Sequence, residues 1–362
     1  MAFSKQQLII VGLGISGTFL SWFCHQAGID FMVIDEERPN VPSRVAAGII
    51  NPVTGRRVVK VWLDDQVLPF AEKAYQSIGD FLGINAITKT SVIDFFPNPF
   101  MKEPFLKKLS RKEAYIRLLE DDSQFAPYFN YEFGTGVIEP AYIVNMTALL
   151  PAWRNFLKTA NKLQEEPLDF SAINIIPSGI EYKTIQAATL IFCDGARGAE
   201  NPYFSLLPFA LNKGEAVVIK APELPSGYLY KKSMLLAPLA EKGLFWAGTN
   251  YIWEFDDDLP TKQFRTATEQ TLKQWLRVPF TIIDHKAAVR PATVERRPFA
   301  GFHPVYKNIG VLNGMGTKGC SLAPYFANQL LRNILYREPL LKEVDIARFR
   351  QVLSRPLSGT AE

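Results

Sequence analysis

Gly12, Gly14 and Gly17 stand in GLGISG, the spacing G-x-G-x-x-G, directly after the apolar run QLIIV at 7–11. Residues of this kind do chemistry by keeping side chains out of the way. Gly12 permits a tight turn, Gly14 lets the backbone approach a pyrophosphate, and Gly17 lets the following helix pack closely. The helix start at Ile15 and Ser16 then offers free N–H groups and a positive dipole end to phosphates. Asp35 closes the next apolar run, IDFMVIDEE at 29–37, where a carboxylate accepts hydrogen bonds from ribose hydroxyls; Glu36 beside it is the fallback. An acid here disfavours a 2′-phosphate. The residues therefore point to a dinucleotide other than NADP and leave NAD and FAD both open.

A second loop of similar spacing, Gly314-Met315-Gly316-Thr317-Lys318-Gly319, lies near the far end of the chain. It follows NIGVLN (308–313) and precedes SLAPYFANQLLRNIL (321–335), whose apolar residues recur with helical period. A second helix N-terminus of this kind points at something electron-rich. Two such ends suit a two-ended cofactor, the first at the pyrophosphate and the second at its far end.

The elements that must position these loops are legible. Residues 7–11 predict a strand of a parallel sheet, 16–28 a helix with Gly28 as its C-cap, and 29–37 a second strand. The chain has 362 residues, which predicts more than one domain. Its 48% hydrophobic and 21% charged content is that of a globular protein. A net charge of +4 suits an anionic ligand and is too small to argue for nucleic acid by itself. Cys24, Cys193 and Cys320 form no metal or disulfide pattern, which predicts a reducing, cytoplasmic setting. His25, His285 and His303 are scattered, so no metal site is expected. The apolar stretch at 8–23 is broken by glycines and Ser16, and reads as strand into helix, not as a membrane span.

SRVAAGIINPVTGRR (43–57) follows the acid where a plain NAD dehydrogenase would carry another crossover helix. Its small residues Ala46, Ala47 and Gly48 suit close approach to a bulky ligand. GLGISG with Asp35, followed by SRVAAGI, resembles the N-terminal part of the D-amino-acid oxidase and glycine oxidase family of FAD-dependent oxidoreductases. TLIFCDGARG (189–198), AAVRPATVERRPFAGFHP (287–304) and the 308–335 segment resemble the later strands and loops of that family, in order. The resemblance implies non-covalently bound FAD, held by Gly12, Gly14, Ile15, Ser16, Gly17, Asp35, Glu36, Arg44, Ala46, Ala47, Gly48, Gly195 and the loop Gly314–Gly319.

It also implies an α/β chain, α+β overall, with a Rossmann-like FAD-binding domain and a mainly antiparallel β substrate domain. The former would be discontinuous, at 1–75, 137–208 and 290–362, and the latter would take 76–136 and 209–289. Arg290 matches the family arginine that binds a substrate carboxylate, a task suited to a planar fork. Lys318 matches a lysine of the sarcosine-oxidase-like branch and is the second candidate. The implied reaction oxidises the C–N bond of a small amino or N-substituted amino acid by hydride transfer to flavin, with oxygen or another acceptor closing the cycle. Leu235 stands where D-amino-acid oxidases carry a tyrosine, so Tyr228, Tyr230, Trp246 and Tyr251 become alternative partners. The C-terminal run also resembles the oxidoreductase half of a bifunctional tRNA-modifying enzyme that removes a carboxymethyl group; Arg56 and Arg57 would then meet phosphates. A non-catalytic FAD-binding sensor and an NAD-dependent dehydrogenase are the remaining alternatives.

Overall fold

The computed structural model describes residues 4–55 and 57–355; Arg56 lies outside them. The chain forms two compact units. The first combines the segment ending at Arg44, Thr147–Asn212, and the segment from Val289 onward. The second combines Val45–Met146 and Lys213–Ala288.

The first unit is built on an eight-stranded sheet. Its first strand, Ser4–Val11, runs parallel to Phe31–Ile34 on one side and to Ile185–Phe192 on the other. Leu8, Ile9 and Ile10 are 1% exposed or less, so both faces are covered, which is why the run is apolar without alternation. Ile185–Phe192 continues the parallel set to Ile309–Asn313, which pairs antiparallel with Phe299–Phe302.

The glycine loop leads into the helix Ile15–Gln26, and every residue from Ile15 to Cys24 is buried. The helix ends at Gln26 with Ala27 as its cap, one residue before the expected Gly28, which follows in the left-handed region with φ +66°. Its N–H donates to the His25 carbonyl (3.1 Å) and the Ile29 N–H to Cys24 (2.9 Å), so the turn closes on orphan carbonyls. The second glycine loop leads into the helix Gly319–Tyr336, again between a buried strand and a largely buried helix face.

The second unit carries a nine-stranded sheet. Asn212–Lys220 and Leu244–Gly248 pair antiparallel, from Ala216–Gly248 to Lys220–Leu244. Thr135–Val144 pairs antiparallel with Ile87–Phe95, while Leu229–Lys231 runs parallel to Ile87–Phe95. The sequence grouping of 1–75 meets a break at Arg44. The following strand Ile49–Ile50 pairs with Tyr142 and Ile143, which draws this stretch into the second unit. No helix among the described residues is long and apolar enough to cross a membrane.

Candidate functional site

Gly12 adopts φ +96°, and a side chain there would strike the Cys193 carbonyl oxygen at 2.5 Å. A methyl on Gly17 would sit 1.9 Å from the Gly12 carbonyl oxygen. Both glycines are thus demanded by the packing of the turn against itself and against the Cys193 backbone. Gly14 differs. Its backbone is ordinary (φ −72°), and a methyl there would meet only Ser43 Oγ, at 3.2 Å. An open flank at the one glycine without a packing reason is the feature that a close-lying ligand requires.

Hydrogen bonds fix the loop on either side of Gly14. The Leu13 N–H donates to Asp35 Oδ1 (2.9 Å), and the Ile15 N–H donates to Ser43 Oγ (3.0 Å). Asp35 Oδ2 accepts from the Glu37 N–H (3.0 Å) and from Arg154 Nη1 (2.5 Å). The acid expected to meet ribose is therefore first a clamp on the loop; a carboxylate has about four acceptor positions, so capacity for a ligand hydroxyl is left. Glu36 points elsewhere: it pairs with Arg38 (3.1 Å) and with Arg197 (2.5 Å) on the turn that follows Gly195. Arg44 pairs with Glu37 at 2.9 Å. Ser16 is buried at the helix start.

Gly195 adopts φ +60° with open space where a side chain would stand. Its carbonyl accepts from Asn313 Nδ2 (2.8 Å), which also donates to Asp194 Oδ1 (2.8 Å). Asn313 Oδ1 accepts from the Gly314 N–H (2.7 Å). Asn313 and Asn201 are 2% and 1% exposed, and Asn201 Nδ2 donates to the other oxygen of Asp194. Burial pushes the Asp194 carboxyl up to about 6 despite these donors. Asn313 thus fastens the second glycine loop to the Gly195 turn. Sequence reading passed over it; the only cue was an amide residue ending a buried apolar strand.

Within the second loop, Gly314 (φ +75°) leaves no room for a side chain, since a methyl would lie 2.6 Å from Thr293 Cγ2. Gly316 (φ +56°) donates its N–H to the Pro291 carbonyl (3.1 Å). Met315 is buried and Thr317 exposed. A methyl on Gly319 would come within 3.2 Å of Ile15 Cγ2, so the starts of the two helices lie side by side. The residues at the two starts, Gly14 and Lys318, supply no side-chain cap, while Ser43 Oγ takes the Ile15 N–H at the first.

Arg290 ends the strand Thr281–Arg290, and its Nη1 donates to Asn212 Oδ1 (2.8 Å). The next residue is Pro291, whose carbonyl holds Gly316. Lys318 is half-buried, and among the described residues its ammonium has no hydrogen-bond or carboxylate partner. Burial first, then the nearby Arg297 and Arg296, hold its pKa below the usual lysine value. The two candidate cations are therefore on elements joined by one backbone bond.

Ala46, Ala47 and Gly48 fall in the second unit, and a methyl on Gly48 (φ +74°) would lie 2.0 Å from the Val144 carbonyl oxygen. The close approach that Gly48 permits is to its partner strand, and its own carbonyl accepts the Val144 N–H (2.8 Å). Of the aromatic alternatives, Tyr230 is fully buried with its hydroxyl donating to the Pro225 carbonyl (2.7 Å). Trp246 Nε1 donates to the Val45 carbonyl (2.9 Å), Tyr228 packs edge-on against Phe125, and Tyr251 is 55% exposed.

Residues 7–332 match the model of the DAO family, described as FAD-dependent oxidoreductase. Solved structures share the fold over nearly the whole chain. Glycine oxidase from Geobacillus kaustophilus is 16% identical, with 99% of this chain and 100% of that one covered and a TM-score of 0.77. Iminodiacetate oxidase from a Chelativorans species is 16% identical over 95% and 98%, with a TM-score of 0.76. L-α-glycerophosphate oxidase from Mycoplasma pneumoniae, solved with FAD bound, is 14% identical over 94% and 99%, with a TM-score of 0.69. The open flank of Gly14, the adjoining helix starts and the loop-clamping Asp35 fit such a cofactor, and the chain belongs to the DAO family of FAD-dependent oxidoreductases.

Proposed function

We propose that this protein oxidises the C–N bond of a small amino acid or N-substituted amino acid. The observation that carries the reading is the bond from the Gly316 N–H to the Pro291 carbonyl (3.1 Å), which sets Arg290 beside the second glycine loop and its lysine. The relatives glycine oxidase and iminodiacetate oxidase act, by name, on amines that bear carboxylates, and that chemistry suits a guanidinium and an ammonium on adjoining elements.

In this reading Gly14 and Ser16 hold the pyrophosphate, with Ile15 between them fixed by Ser43, Asp35 holds the ribose, and the start of the helix Gly319–Tyr336 faces the flavin. Bound FAD supplies the hydride acceptor. Arg290, oriented by Asn212, takes the substrate carboxylate; Lys318 adds positive potential or a second contact. Orientation supplies the catalysis, since the amine needs only to be neutral and aligned when its C–H bond breaks. Oxygen or another acceptor closes the cycle. The three buried cysteines, none in a disulfide, suit a reducing compartment such as the cytoplasm.

Anaerobic mixing of the FAD-loaded protein with glycine, sarcosine, D-alanine and D-proline tests the reading. Bleaching of the flavin band by at least one of these supports it. A protein that binds FAD but is bleached by none of them, nor by iminodiacetate, is not an oxidase of small amino acids.

A further inference from the structure

The helix Met146–Thr159 carries an arginine, Arg154, that is 5% exposed although helix arginines ordinarily reach water. Its guanidinium gathers three carboxylates. Nη1 donates to Asp35 Oδ2 (2.5 Å), and Nη2 to the Asp35 carbonyl (3.3 Å). Nε and Nη2 donate to Glu165 Oε1 (3.0 and 2.9 Å), and Nε lies 3.1 Å from Glu37 Oε2. Glu165 follows the short strand Leu163–Gln164, which runs parallel to Phe31–Ile34, so these acids meet at one end of the sheet.

From Arg154 two chains of contacts lead to the first glycine loop. One runs through Asp35, whose other oxygen takes the Leu13 N–H. The other runs through Glu37 to Arg44, next to Ser43, whose hydroxyl takes the Ile15 N–H. Leu13 and Ile15 flank Gly14, the glycine whose open side a pyrophosphate would use. Without a cation in their midst, Asp35, Glu37 and Glu165 would repel one another, and Asp35 would turn toward water.

We propose that Arg154 is a positioning residue for the adenosine end of FAD. It balances the acids at the sheet end and locks the Asp35 rotamer, so that one oxygen clamps Leu13 while the carboxylate still faces a ribose hydroxyl. The inference rests on the reading of this loop as the FAD cradle. Arg154 spends its hydrogen bonds on Asp35 and Glu165, so its role is to hold Asp35 rather than to bind the cofactor itself.

The test is FAD affinity of the purified chain, measured by fluorescence quenching, for wild type, Arg154→Met, Arg154→Lys, Asp35→Asn and the Arg154→Met/Asp35→Asn double variant. Arg154→Met should raise the Kd for FAD about 10-fold or more. Arg154→Lys, which restores charge but reaches fewer oxygens, should recover part of that loss. The decisive readout is coupling: the loss of FAD affinity in the double variant should be clearly smaller than the sum of the two single losses, because Arg154 acts largely through Asp35. Additive losses, or an Arg154→Met chain that binds FAD like wild type, overturn the proposal; if Arg154→Met does not fold, wild-type affinity in Arg154→Lys does so. Failure of the cradle reading looks different: Asp35→Asn then leaves FAD binding unchanged, or wild type does not bind FAD, and the proposal falls with it.

Discussion

Gly319 stands against Ile15 so closely that a methyl on it would lie 3.2 Å from Ile15 Cγ2. These two residues open the helices that follow the two glycine loops, 304 positions apart in the chain (319 minus 15). Their contact joins two positive helix ends into one electrostatic surface, which is what a long anionic cofactor needs and what neither loop provides alone.

The glycines of the first loop separate packing from ligand approach. Gly17→Ala drives a methyl to 1.9 Å from the Gly12 carbonyl and should destabilise the fold by about 3 kcal/mol, read as a shifted urea midpoint. Gly14→Ala meets only Ser43 Oγ, so its stability should stay within about 1 kcal/mol of wild type. Its affinity for FAD should nevertheless fall about tenfold or more, because the methyl occupies the flank that the pyrophosphate uses. Equal FAD affinity in Gly14→Ala and wild type would show that the loop does not hold a pyrophosphate.

Asp194 should impose a pH slope on stability. Its folded pKa is pushed up to about 6, above the ordinary value of about 3.9, so the folded chain holds the proton more tightly than the unfolded one. Stability is therefore highest below about pH 4, falls as pH rises to about 6, and is level beyond, the drop being at most about 3 kcal/mol. Asp194→Asn should remove that component from the urea midpoints measured between pH 4 and 7. It also carries a pH-independent cost of about 1–2 kcal/mol, so the variant should be less stable than wild type near pH 4 and gain on it as pH rises. Asn201 and Asn313 both donate to this carboxylate and are locked by their own bonds to the Tyr203 and Gly314 N–H groups, so the new amide would face a donor.

What the sequence made legible was local. The two loops, the strands before them and the helices after them follow from spacing and apolar runs, because the forces that shape a strand-turn-helix act within about 30 residues. What it hid was pairing at long range. Arg154 and Asp35 are 119 positions apart, and an arginine in PAWRNFLK reads as a solvent-facing helix residue. Gly48 lies among small residues, as a ligand contact would, yet its neighbour is the Val144 carbonyl. A glycine's need for space is visible in a sequence; the identity of whatever fills the space is not.

Glu215 anchors the second unit by a similarly hidden set of contacts. It is 0% exposed, and its carboxylate accepts from the Thr261 N–H (2.6 Å), the Thr261 hydroxyl (2.8 Å) and Asn250 Nδ2 (3.3 Å). His285 Nε2 lies 3.1 Å from it. Thr261 caps the helix Lys262–Trp275, so the buried charge also sits at that helix's positive end. Glu215→Ala strands these donors and should cost about 3 kcal/mol or more in urea unfolding. Glu215→Gln keeps one acceptor and should lose less. FAD affinity should change little in the folded fraction of either variant; a loss on the scale of Gly14→Ala would tie Glu215 to the cofactor instead.

Lys318 yields a prediction whose sign follows from its surroundings. Burial and the nearby Arg297 and Arg296 disfavour its charged form, so its pKa is held below the usual lysine value. A bound carboxylate favours the charged form, and by linkage its binding must weaken as pH rises through that lowered pKa, short of about 10.4. The ratio of KM values between Lys318→Arg and wild type, taken at each pH with one amino-acid substrate, cancels titration of the substrate amine. It should fall with rising pH, because arginine keeps its charge throughout. Lys318→Met should raise KM about 10-fold near neutral pH, the worth of one charge-assisted hydrogen bond, while FAD stays bound. A pH-independent ratio together with an unchanged KM in Lys318→Met would remove this lysine from the substrate site and leave Arg290 as the sole candidate for the carboxylate.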